Sequence, residues 1–123
     1  MADQRIILEL GMGNDLYGAD YTKAACRAVQ DALHHSSLTF FSNLGYDHKD
    51  MRVQVTIGVQ QPEAVDIDRV TAELPRGVAH VTAVQGGLNV SSPHGAPHVM
   101  ATAAIEAFLD VDPADWSLSS KSR

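Results

Sequence analysis

The chain has a single cysteine, Cys26, so it cannot form a disulfide within itself or assemble a Cys-based zinc site. One free thiol fits a reducing compartment, and a cytoplasmic location is expected. Positive charge is also scarce: nine Lys and Arg stand against fifteen Asp and Glu, a net charge of −6. No Lys/Arg cluster occurs anywhere, whereas a nucleic-acid partner requires a cationic face, so none is expected. There is no secretory leader pattern and no apolar run of about 18 residues, so neither export nor a membrane partner is expected.

What is present is a globular composition. At 45% hydrophobic and 20% charged, the 123 residues can build one folded domain with a real but modest core. A domain of this size often gains stability by oligomerising. The patterned part spans residues 1–111 as a single α/β domain. Residues 112–123 are largely polar, with a lone aromatic Trp116, and read as a tail.

Along the chain, Ile6 to Leu10 is a short apolar run that predicts a first strand buried on both faces, with Glu9 as an anomaly inside it. Gly11 to Asp20, with three glycines and two aspartates, predicts a loop. Tyr21, Ala25, Ala28, Val29, Ala32 and Leu33 then trace one helical stripe, opposite Lys23, Arg27, Gln30 and Asp31, with Asp20 or Thr22 as N-cap. That helix is expected to end near residues 34–37. Residues 38–50 read as short helix or irregular structure. Met51 to Val59 alternates as a half-exposed strand. Pro62 or Asp66 opens a second, shorter helix through Val65, Val70 and Leu74, closed by Pro75 and Gly77. Val78 to Val84 predicts a third strand, and Gly86 to Pro97 a long loop. His98 to Val111 combines helix-favouring alanines with strict period-two alternation; the alternation favours a fourth strand over a helix.

The expected fold is therefore α/β (α+β) in the order β-α-β-α-β-β. It is a mixed four-stranded sheet whose first three strands run parallel, with both helices on one face. A ferredoxin-like arrangement is the alternative. Either leaves one sheet face open, for a neighbouring subunit to cover or for Arg52, Gln54 and Thr56 to line.

The stretch Gly11-x-Gly-x-Asp-x-x-Gly-x-Asp-x-Thr-Lys-Ala-Ala-x-Arg-Ala-Val-x-Asp-Ala-Leu resembles an uncharacterised family of short bacterial conserved hypothetical proteins. Ile57-Gly-Val-x-x-Pro-Glu, Leu74-Pro75 and Gly86-Gly87-Leu88 fit the same family, which implies no particular activity. The strand order is also similar to the chorismate-mutase-like fold of bacterial chorismate mutases and reactive-intermediate deaminases, which implies a homotrimer with sites between subunits. The ring-opening amidohydrolases (cyanuric acid hydrolase and barbiturase) resemble three such units in one chain. Their serine loop is similar to Gly86-Gly87-Leu88-Asn89-Val90-Ser91-Ser92-Pro93-His94. Gln85, however, stands where that family has its serine, and Thr56 where it has its catalytic lysine. The resemblance therefore implies the fold and the trimer without the amidohydrolase reaction.

Several residues could carry chemistry. Gly11 and Gly13 could let backbone N–H groups cradle an anion at the helix start, or simply make a turn. Asp15 and Asp20 would oppose a phosphate there, and the pattern is neither a dinucleotide fingerprint nor a P-loop. With Glu9 they could instead ligate a hard cation, although the spacing is not that of an EF-hand, and no metal or cofactor is expected. A carboxylate in a buried strand is costly unless paired. Lys23 or Arg27 could reach Glu9, which is a candidate general base, against the plainer reading of a structural ion pair or an edge-strand solvent contact. Lys23 is a candidate nucleophile or substrate cation, against the plainer reading of a solvated lysine. His94, beside Ser91 and Ser92, suggests a Ser-His pair without a third orienting residue. Gly86 and Gly87 complete the candidate binding set with Asp15, Asp20, Arg27, Ser91 and Ser92. The catalytic candidates are Glu9, Lys23 and His94. Two functions are compatible with these residues. One is an enzyme (hydrolase, deaminase or isomerase) acting on a small polar compound between subunits. The other is a non-catalytic metabolite-binding or regulatory trimer.

Overall fold

The structure is a computed structural model that describes residues 2–34, 52–74, 78–93 and 95–111. Strand β1 (Ala2–Asp15) leads through a turn to helix α1 (Tyr21–His34). Strand β2 (Arg52–Val59) follows, then a 3-10 turn (Pro62–Ala64) and the short helix α2 (Ile67–Thr71). Strands β3 (Val78–Gln85), β4 (Leu88–Val90) and β5 (His98–Val111) complete the described elements. The sheet order is β1-β5-β2-β3, with β4 paired to β5 where β2 has ended. Both β1 and β2 pair antiparallel with β5, and β2 pairs parallel with β3. The first three strands therefore share one direction, as expected, and β5 enters between β1 and β2 against them.

The period-two reading of β5 matches its bounds, and its inward residues Val99, Ala101, Ala103, Ile105, Ala107 and Leu109 are buried. They meet Val53, Val55, Ile57 and Val59 of β2 to form the centre of the core. Each large side chain among them contributes about 1.5–3 kcal/mol by leaving water. The two helices close this inward face: α1 lies over β1 and β5, and α2 lies by β3.

Three expectations need correction. First, the strand predicted over Ile6–Leu10 runs on to Asp15, so Gly11 and Gly13 are strand residues and not loop residues. Glycine is tolerated inside a strand where another backbone comes close, and α1 does so here. A Cβ added to Gly11 would fall 2.5 Å from Ala32 N, and one on Gly13 would fall 2.5 Å from Ala24 O. The fully buried Ala24, Ala28 and Ala32 are the matching small residues on the helix. Second, β1 is not buried on both faces. Ile7, Gly13 and Asp15 are buried, whereas Leu8, Leu10 and Met12 point to the open face with 45%, 64% and 53% exposure. Third, the loop after Gly86 contains the short strand β4, giving five strands in place of four. The second helix also divides into the 3-10 turn and α2, which Asp66 caps through Arg69 N. The expected segment 38–50 and the tail 112–123 lie outside the described residues.

Candidate functional site

The link from β1 to α1 is held by the carboxylate of Asp15, which is 5% exposed at the end of its strand. Its Oδ2 accepts hydrogen bonds from Gly18 N at 3.2 Å and Asp20 N at 2.8 Å, folding residues 16–20 into a tight turn. Ala19 takes a positive φ of 49° within it. Asp20 then caps the helix: its Oδ1 accepts from Lys23 N at 3.0 Å, and its backbone carbonyl accepts from Ala24 N. Arg27, one turn into α1, reaches back to donate to Asn14 O, and its Nη1 lies 3.9 Å from Asp15 Oδ1. His98 Nδ1 donates to Leu16 O at 2.8 Å, tying the turn to the start of β5.

These contacts leave a cleft of about 520 Å³ lined by residues 15–18, Asp20, Lys23 and Arg27. Its two carboxylates are engaged as turn and cap acceptors. Among the described residues, Lys23 forms no ion pair, so its ammonium is uncommitted at the cleft. Tyr17, 90% exposed, adds an aromatic wall with a phenol. A groove of about 280 Å³ continues from Lys23 and Arg27 toward α2, with Cys26, Gln30, Arg69 and Glu73 in its lining. Burial, with the carboxylate of Glu73 next in importance, pushes the Cys26 thiol up from its ordinary pKa. That disfavours the thiolate a nucleophile would need.

The structure brings Asp15, Asp20, Lys23 and Arg27 together and sets the remaining candidates apart. Glu9 forms no ion pair with Lys23 or Arg27 among the described residues, so of its alternative readings the edge-strand solvent contact is the one that fits. The reason is the direction of α1. Ala24 and Ala28 sit over Gly13, and Ala28 and Ala32 over Gly11, so the helix runs back along β1. Glu9 therefore lies toward its end and Lys23 at its start, about 14 Å away along the axis. Glu9 meets its desolvation cost differently, by remaining half-buried on an edge strand.

Gly11 and Gly13 lie beneath the helix, where its backbone covers them. Gly86 and Gly87 likewise serve a close crossing: Gly86 passes Gly58, and Gly87, at φ 61°, lies against Met100 O. Gln60 Nε2 donates to the carbonyls of both. Ser91 and Ser92 follow β4, outside the cleft lining. His94 lies outside the described residues. No group of three His, Cys, Asp or Glu that could hold a metal occurs among the described residues.

Comparison with known proteins agrees with the motif reading. The model of a family described as conserved hypothetical protein (Lin0512_fam) matches residues 5–107. The chain belongs to this family. A solved crystal structure from Nostoc punctiforme, described as an FtsZ-like protein of unknown function, is 32% identical. The alignment covers 90% of this chain and 99% of that one, with a TM-score of 0.78. No curated protein matches. No described helix is long and apolar enough to cross a membrane.

Leu16, Tyr17, Arg69, Ala72 and Glu73 are lining residues that the sequence reading passed over. Tyr17 left a usable signal, an aromatic residue between two turn-forming positions, where nothing requires it for a core. Arg69 left none, because its place depends on how α2 packs beside α1.

Proposed function

We propose that the chain binds a small anionic compound in the cleft between the 16–20 turn and the first turns of α1, without transforming it. The observation that carries this reading is the uncommitted Lys23 beside Arg27, in a cleft whose carboxylates Asp15 and Asp20 already accept hydrogen bonds from the backbone. An anion there gains a cation partner without displacing an existing ion pair of Lys23. The enzyme reading, a hydrolase, deaminase or isomerase, asks for Glu9, Lys23 and His94 in one place. Within one chain, Glu9 and Lys23 stand toward opposite ends of α1, so the binding reading uses more of the geometry.

The proposal extends to a homotrimer of chorismate-mutase-like subunits in which a neighbour covers the open sheet face. The strand order β1-β5-β2-β3 supports that assignment, as do the exposed Leu8, Leu10, Met12, Leu88 and Val90. Light scattering at micromolar concentration is expected to give the mass of three chains.

The binding test is a thermal-shift screen of small carboxylates and phosphates, because a ligand of the native state raises Tm. Hits are expected to lose their shift in Lys23→Ala and to remain chemically intact after prolonged incubation. An unchanged shift in that variant sinks the site, and turnover of a hit sinks the non-catalytic reading.

A further inference from the structure

Of the nine Lys and Arg in this acidic chain, Lys23, Arg27 and Arg69 line a groove between α1 and α2. The carboxylate in that lining, Glu73, is the acceptor for Gln30 Nε2. Two other carboxylates nearby, Asp20 and Asp66, are helix caps that accept from Lys23 N and Arg69 N. The groove lining thus holds three cations against one carboxylate; Arg27 is paired with Asp15, and Lys23 and Arg69 have no ion pair among the described residues. An excess of cationic side chains in the lining of a concavity favours an anion there even when the net charge of the chain is against it.

The groove and the cleft share Lys23 and Arg27. These two residues are four apart on α1, so their Cβ atoms are about 5–6 Å apart on one helix face. A lobe opens on each side of that pair, one toward Tyr17 and one toward Arg69. A ligand with one negative group occupies a single lobe, whereas a ligand with two can straddle the pair.

We propose that the groove is a second anion subsite and that the ligand is a short dianion. One of its negative groups would sit in the cleft with Lys23 and Arg27, and the other against Arg69. This rests on the cleft's being the binding site. The chemical class is a dicarboxylate or a phosphorylated carboxylate with a few bonds between its charged groups.

Calorimetry with succinate and butyrate tests it, since the two share a four-carbon backbone and differ in one charge. The wild-type chain is expected to bind succinate at least about tenfold more tightly than butyrate. Arg69→Ala and Arg69→Gln are expected to reduce succinate binding to the butyrate level and leave butyrate unchanged. Lys23→Ala is expected to weaken both. Succinate binding unchanged in both Arg69 variants overturns the second subsite while the cleft reading stands. The same conclusion follows if the wild type binds both compounds equally. Failure of both compounds to bind the wild type removes the cleft reading and this one together.

Discussion

Gly13 of β1 and Ala24 of α1 stand so close that a Cβ built on the glycine would lie 2.5 Å from the alanine's carbonyl oxygen. The obstacle is helix backbone, which cannot rotate aside as a flexible side chain could. Gly13→Ala is therefore expected to push α1 off the sheet. Overpacking of a core costs about 1–3 kcal/mol, and the upper end is expected here. For a domain of this length that corresponds to a fall in Tm of about 10 °C. A Tm within about 2 °C of wild type would show that the helix does not sit on the strand as described.

The turn beside the cleft depends on Asp15, whose single Oδ2 takes both Gly18 N–H and Asp20 N–H. Asp15→Ala leaves two partly buried donors without that acceptor, at a cost of about 2 kcal/mol. Asp15→Asn keeps an acceptor oxygen but loses the charge, so it is expected to cost roughly half as much. Chemical denaturation of the two variants measures the difference. Hydrogen exchange at Gly18 and Asp20 is expected to accelerate more in Asp15→Ala than in Asp15→Asn.

The parts of the fold that were legible from sequence are those in which one period runs uninterrupted. β5 shows alternation from His98 to Val111, and α1 shows the stripe from Tyr21 to Leu33. β1 was cut short because Gly11 and Gly13 carry two meanings, turn punctuation and close backbone approach, and only the packed helix distinguishes them. β4 is three residues long, too short to show a period. That Asp15, Asp20, Lys23 and Arg27 share one cleft was legible because they follow one another through a turn and the first turns of a helix. Whether Glu9 meets Lys23, Arg27 or solvent was not legible, because it depends on the direction in which α1 crosses β1, which local pattern does not contain. Arg69 required a contact between two helices for the same reason.

Cys26 gives the domain a pH dependence with a definite sign. Burial, followed by Glu73, holds its thiol above the ordinary value of 9.0, so the folded state favours the protonated form. Below that value both folded and unfolded chains carry the proton, and the contribution to stability is complete. As pH rises, the unfolded thiol ionises first, so the contribution is lost through the folded pKa. The stability advantage of wild type over Cys26→Ala is therefore expected to shrink between about pH 7 and pH 10, read from urea midpoints. Native Cys26 is also expected to react with iodoacetamide far more slowly than in urea.

Asp31 on α1 accepts a hydrogen bond from Met12 N at 3.0 Å, and Arg27 donates to Asn14 O. Both backbone groups belong to β1, an edge strand of the sheet. The helix thus blocks the end of that edge with its own polar side chains, a device that keeps an exposed strand from pairing with another chain. In Asp31→Ala the Met12 N–H is left open beside the exposed side chains of Leu10 and Met12. A strand edge with free donors and apolar neighbours recruits further strands. Asp31→Ala is therefore expected to form larger species than wild type at equal concentration, with the increase visible by light scattering and steepening with concentration. Asp31→Asn keeps an acceptor oxygen and is expected to stay near the wild-type mass. A rise in mass in Asp31→Asn equal to that in Asp31→Ala would place the cause in the lost charge and remove the edge-capping role.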